Sequence, residues 1–178
     1  MEPIREKAYY KTRWLITRYP SQEAFERREP SEVPDLKGPV GSTLPAHSII
    51  EGNVLLNGGI TAALNILTGA RANSPWNSGN ARIGVGDSSL AALNTQTGLN
   101  ATTNKEWMTM ASTYPQVSGQ TATWQAIFGS GNAVFAWQEF TIVNAANDTG
   151  DNINRVANNQ GTKVNGQVWT VSVAITLS

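Results

Sequence analysis

The strongest constraint in this chain is a pair of long alternating stretches, Gln120 to Phe128 and Ala133 to Val143, separated by Gly129-Ser130-Gly131-Asn132. Successive side chains of a strand point to opposite faces. The first stretch therefore sets Ala122, Trp124, Ala126 and Phe128 against Thr121, Thr123, Gln125 and Ile127. In the second, Phe135, Trp137, Glu139, Thr141 and Val143 alternate with Val134, Ala136, Gln138, Phe140 and Ile142, so most of both faces is apolar. Such a strand belongs in the middle of a sheet or against another subunit. The two glycines between the stretches predict a turn that folds them back on each other as a hairpin.

Other strands are read from the same period of two. Val168 to Leu177 is the cleanest, with Trp169, Val171, Val173, Ile175 and Leu177 inward. Shorter candidates are Ala81 to Gly86, Glu106 to Tyr114 and Ile153 to Ala157. Gly84 and Gly86 bare one face, as room for a bulky neighbour such as Trp124. Within residues 53 to 69, Ile60, Ala63, Leu64 and Leu67 follow helical spacing, with Asn57 placed to cap the start and Gly69 the end. That stripe is expected to plug one end of a sandwich. The predicted fold class is all-β: a β-sandwich or jelly-roll-like domain over residues 46–178 with one short α-helix.

Residues 1 to 45 differ from the rest. They hold eight basic and seven acidic residues, more than half of the charged residues in the chain, and six of its eight prolines. Proline fixes φ and cannot donate to a ladder, so an extended N-terminal arm is predicted, with a short helix from Ser21 to Arg28 capped by Ser21. Its aromatic content is too high for a solvated tail. The arm either packs on its own domain or straps across a neighbouring molecule.

Charge and chemistry narrow the function. Formal net charge is zero, which gives no bulk electrostatic reason to bind nucleic acid or anionic membrane. No apolar run approaches a membrane span, and no signal-peptide core is seen at the N-terminus. There is no cysteine, so disulfides and thiolate metal sites are excluded. His47 is the only histidine, and its setting between Ala46 and Ser48 reads as surface. Gly84-Val85-Gly86 lacks the lysine of a phosphate loop. Asp148 and Asp151 offer oxygen ligands without the full calcium-loop pattern. Glu139 is expected to pair with Arg155 or Arg82, or to face solvent. No cofactor, metal or catalytic residue is expected. The polar stretch from 87 to 105 is long for a loop, and such loops commonly contact a partner.

Four motifs in order carry a family resemblance over about residues 50 to 178. They are Asn53 to Gly69; Ile83-Gly84-Val85-Gly86-Asp87 with the polar loop reaching Leu99; Phe128 through Phe140 with Glu139; and Gly150 through Arg155 with Gly161-Thr162-Lys163 and the closing strand. In this order they resemble a β-rich domain of tailed-bacteriophage virion structural proteins. The resemblance implies a virion part, and the lack of the long repetitive shaft expected of a tail fibre points to a capsid decoration, or cement, protein on the phage head surface. Its partners would be the major capsid protein and further copies of itself, in a homotrimer. The arm would then run over the shell, anchored by Tyr9, Tyr10, Trp14, Tyr19 and Phe25, with Arg13, Arg18, Arg27 and Arg28 pairing with shell acids. The alternative is a tail or tail-fibre component that binds a receptor or glycan, with Trp76 as the exposed stacking platform.

Overall fold

The computed structural model describes residues 9–35, 38–70 and 72–178. The strands are β1 (Tyr10–Tyr19), β2 (Val33–Pro34), β3 (Thr43–Leu44), β4 (His47–Glu51), β5 (Val54–Leu55), β6 (Arg82–Gly86), β7 (Lys105–Thr109), β8 (Gln116–Ser118), β9 (Thr121–Phe128), β10 (Glu139–Val143), β11 (Asn152–Ala157) and β12 (Val168–Leu177). The helices are α1 (Gln22–Glu26) and α2 (Asn57–Thr68). Two five-stranded antiparallel sheets form a sandwich, one in the order β4-β1-β12-β9-β8 and the other β5-β11-β10-β6-β7; β2 and β3 make a small separate ribbon. The fold is all-β, as the alternating stretches predict.

Register explains the core. In the first sheet Trp14, Val173 and Trp124 lie in one row, and Ile16, Val171 and Ala126 in the next. These side chains are buried with Ile83, Val85, Phe140 and Ile142 from the second sheet. β10 is buried along its whole length and occupies the centre of its sheet, as its two apolar faces require.

The predicted hairpin does not form. β9 pairs with β12 and β8, whereas β10 pairs with β11 and β6. The chain crosses from one sheet to the other after Phe128, and only Glu139 to Val143 of the second stretch is strand. The crossing segment carries Trp137 into the space between the sheets. Its indole packs edge-on against Phe128 at 4.7 Å, Trp169 at 4.8 Å and Phe140 at 6.0 Å between ring centroids. A hairpin would have kept Trp137 and Phe128 in one sheet; the crossover sets them ring to ring in the core, an arrangement aromatic quadrupoles favour. A tight hairpin forms instead at β8–β9, turning at Gly119 with φ +56°.

The N-terminal segment also departs from expectation. Residues 1–8, 36 and 37 of the predicted arm lie outside the described residues. Tyr10 to Tyr19 is extended, but it is an inner strand between β4 and β12, not a strap. Trp14 and Ile16 are fully buried in the chain's own core. The physical reason is the period of two in Thr12, Trp14, Ile16 and Arg18, which matches the apolar row of β12 residue for residue. α1 follows, capped by the Ser21 hydroxyl accepting from the Ala24 amide, and the chain turns away after it at Arg28 with φ +59°.

Two smaller corrections concern glycines. Gly84 makes room for Trp107 of the neighbouring strand, not Trp124, and Gly86 makes room for the Glu139 side chain. α2 also starts without a side-chain cap, although Gly69 closes it in the left-handed conformation.

Removing residues 1–45 should abolish the fold, because it strips a row of core side chains and leaves β4 unpaired. Circular dichroism of the truncated chain is expected to show no cooperative thermal transition. The single change Trp14→Ala should cost about 3–5 kcal/mol in a denaturant titration.

Candidate functional site: an apolar furrow beside α2

One end of the sandwich is open. There the first sheet ends in Tyr10, Leu177, Ile175, Ala122 and Val117, and the second in Leu55 and Ile153. Helix α2 lies over this end but does not fill it. It packs on β11 by its small side: Gly59, where a Cβ would fall 2.4 Å from Ile153 Cα, and the buried Ala62. The expected plug is therefore incomplete. Of the stripe, Ile60, Ala63 and Leu64 line the opening and Leu67 stands beyond it, with Leu64 56% and Leu67 81% exposed. Between the helix and the sheet runs a cavity of about 870 Å³. A second hollow of about 390 Å³ shares Ala63, Val117, Ala122, Trp124 and Ile153 with it and reaches Trp76 and Pro115.

Among the described residues, none that lines the furrow is charged. Its rim adds Val117 at 77% and Leu177 at 61% exposure. Ile60, Leu64, Ile66, Leu67, Val117 and Leu177 together leave on the order of 600 Å² of apolar surface in water, the upper end of what a monomer carries. Tyr10 forms one wall; its hydroxyl donates to Asn53 Oδ1 at 2.7 Å, and burial raises the phenol's pKa.

The residues expected to bind a partner are scattered. Trp14 is in the core, 5.8 Å from Phe140. Arg18 is buried: its guanidinium stacks 4.6 Å over Trp169 and donates to Pro45 O, Ser48 Oγ, Gln160 O and Gln160 Oε1. Burial lowers its pKa to about 10. Neither residue can reach a second molecule, which corrects both assignments. Arg13 pairs with Glu51 at 3.4 Å on the outer face of the first sheet. Tyr19 and Phe25 stack edge to face at 5.2 Å. Arg27 pairs with Glu23, Arg28 is exposed, and Tyr9 is exposed with its backbone paired to Ser178. Only Tyr10 belongs to the furrow. Trp76 is buried, with its indole donating to Asp151 O at 3.1 Å, so it offers no sugar-stacking face.

The long loop after β6 is fixed, not free. Glu139 and Arg155 form a fully buried ion pair, Nη2 to Oε2 at 2.7 Å, on the outer face of the second sheet. The Glu139 carboxylate accepts from the amides of Asn100 at 2.8 Å and Ala101 at 2.7 Å, while Arg155 donates to Gln96 Oε1 and Leu90 O. Asp148 accepts from the Leu99 amide and pairs with Lys105 at 3.5 Å; burial outweighs these partners and raises its pKa. Asp151 accepts from Asn73 and Asn144. His47 is exposed beside Thr17. Among the described residues, no three metal-ligating side chains converge.

A second buried charge holds the crossover turn. Lys163 Nζ donates to Gly129 O at 2.8 Å and Asn132 O at 2.9 Å, and Glu106 accepts from Asn132 Nδ2 and the Ala133 amide. Burial lowers the Lys163 pKa to about 8, with Glu106 opposing.

No protein-family model matches this chain, and no curated protein or solved structure matches it.

The sequence marked α2 as amphipathic but not which way it faces. The signal was Gly59 with Ala62, since small residues on one helix face mark close approach to a neighbour.

Two outcomes follow from the buried charges. Arg155→Met strands the Glu139 carboxylate and should cost about 3–5 kcal/mol, with faster hydrogen exchange at the amides of Asn100 and Ala101. For Lys163, the proton leaves near pH 8 in the folded state and near 10.5 unfolded. Between those values the unfolded chain binds more protons, so stability rises with pH. Tyr10 opposes this only above its ordinary value of 10.0. From pH 8 to 10 the unfolding free energy should rise by up to roughly 3 kcal/mol. The Lys163→Met protein should lack that rise.

Proposed function

We propose that this protein is a structural component of a tailed-phage virion, a decoration protein seated on the head, and that its assembly there depends on the apolar furrow rather than on Trp14 and Arg18. The furrow carries this reading. An open, uncharged apolar face of this size is stable in solution only at a cost and is relieved by being covered. The ordered motifs from Asn53 to Leu177 supply the virion context. The sandwich suits a static role: its loops are tied down by buried charges, and its core is dense with aromatic rings. The major capsid protein is the proposed partner on the shell. The tail and glycan-binding alternative loses its platform, because Trp76 is inside.

Localisation in purified particles tests this. Immunogold labelling and quantitative mass spectrometry are expected to place hundreds of copies on the head. A few copies at the tail tip, or none in the particle, would reject the decoration role. Leu64→Asp should leave the isolated fold intact and reduce particle occupancy at least tenfold.

A further inference from the structure

We propose that the furrow and the exposed ridge of α2 are two halves of one self-association surface, and that the occupant of the furrow is α2 of a second copy of this chain. The inference rests on reading this face as an assembly surface. It goes further by naming what covers it.

Three observations select a second copy. The first is spacing. Ile60, Leu64 and Leu67 stand at i, i+4 and i+7 along α2, the first two on the helical wall of the furrow and Leu67 beyond it, all of them exposed, the anchor pattern of a helix that lies in a groove. The same chain therefore presents both a furrow in need of a helix and a helix in need of a furrow. Side by side on one face, they let two copies satisfy each other reciprocally. The twelve residues of α2 span about 18 Å.

The second observation is charge. α2, β8, the turn into β9, β9 and β12 contain no Asp, Glu, Lys or Arg. A surface that meets its own copy must not set like charges against each other, and these elements have none to set. A charged partner, by contrast, would find nothing to pair with. Depletion of charge from the centre is also the compositional mark of protein interfaces.

The third is area. The exposed apolar surface of the ridge and rim, on the order of 600 Å², approaches the roughly 800 Å² that each partner contributes to a standard interface. An apolar small molecule in the furrow would leave Leu67, the most exposed residue of the ridge, still in water.

The test is sedimentation equilibrium of the isolated full-length protein from micromolar to millimolar concentration. The wild type is expected to be an oligomer. Leu67→Asp on the ridge and Val117→Asp on the far wall should each weaken association at least a hundredfold. Both should keep the wild-type circular dichroism spectrum, since both side chains are exposed. Ile49→Asp, on the outer face of the first sheet, should associate like wild type. A wild-type monomer across the range, with or without uptake of a fluorescent fatty acid, would overturn the proposal. So would an oligomer that survives both charged variants. A monomeric protein still found on particles would sink this inference alone, whereas an oligomer absent from particles would sink only the virion reading.

Discussion

Trp137 is the residue on which the two sheets close. It belongs to neither, since it sits in the segment that carries the chain from β9 to β10. Its ring touches Phe128 and Trp169 from one sheet and Phe140 from the other. Its indole nitrogen is satisfied locally by Ala133 O at 2.9 Å. Arg18 over Trp169 extends the stack to the rim of the core. Buried aromatic groups contribute both area and edge-to-face geometry, so this cluster fixes the spacing and the relative alignment of the sheets. The Lys163 and Glu106 contacts on the preceding turn hold the crossover in place. One buried and one half-buried charge are therefore spent on a segment that is not regular structure.

How much of this was legible depends on the kind of information each residue carries. Face alternation is local, so Trp124 and Phe128, Trp169 to Ile175, and the doubly buried β10 could all be read directly. Pairing partners are not local. The stretches around Gly129 and Gly131 read as a hairpin because adjacent strands with a glycine turn usually pair. What decides otherwise is Lys163 and Glu106, each more than 25 residues away in the chain. The same limit explains Tyr10 to Tyr19. Its charged and aromatic neighbours and flanking prolines suggest an arm, while its fit to β12 appears only when the two rows are aligned.

The Glu139–Arg155 pair shows a third case. The pairing was legible as one of several, because an acid within an apolar strand needs a counter-charge. Its purpose was not. By accepting two amides from the loop and, through Arg155, reaching Gln96 and Leu90, it converts eighteen residues of polar sequence into a lid over the second sheet. A buried ion pair adds little net stability over apolar residues of the same size. It does make the loop's position specific, because any other placement leaves a charge uncompensated.

The contrast between the two ends of the molecule bears on what the chain is for. Where the loop covers the second sheet, the Glu139 and Arg155 side chains are under cover and tied to named partners, although Leu90 and Leu93 of the loop itself stay exposed. At the α2 end the same chain does the opposite. A helix that could have turned Leu64 and Leu67 inward is held by Gly59 against β11, with its small side to the protein. A Cβ at position 59 would collide with the backbone of Asn152 and Ile153, so the orientation is built into the sequence rather than tolerated by it. Selection for stability alone would bury those leucines, at roughly 25 cal/mol for each Å² removed from water. Keeping them outside makes physical sense where another surface completes the burial, and the absence of charge among the described residues lining the furrow makes a like surface the most compatible one.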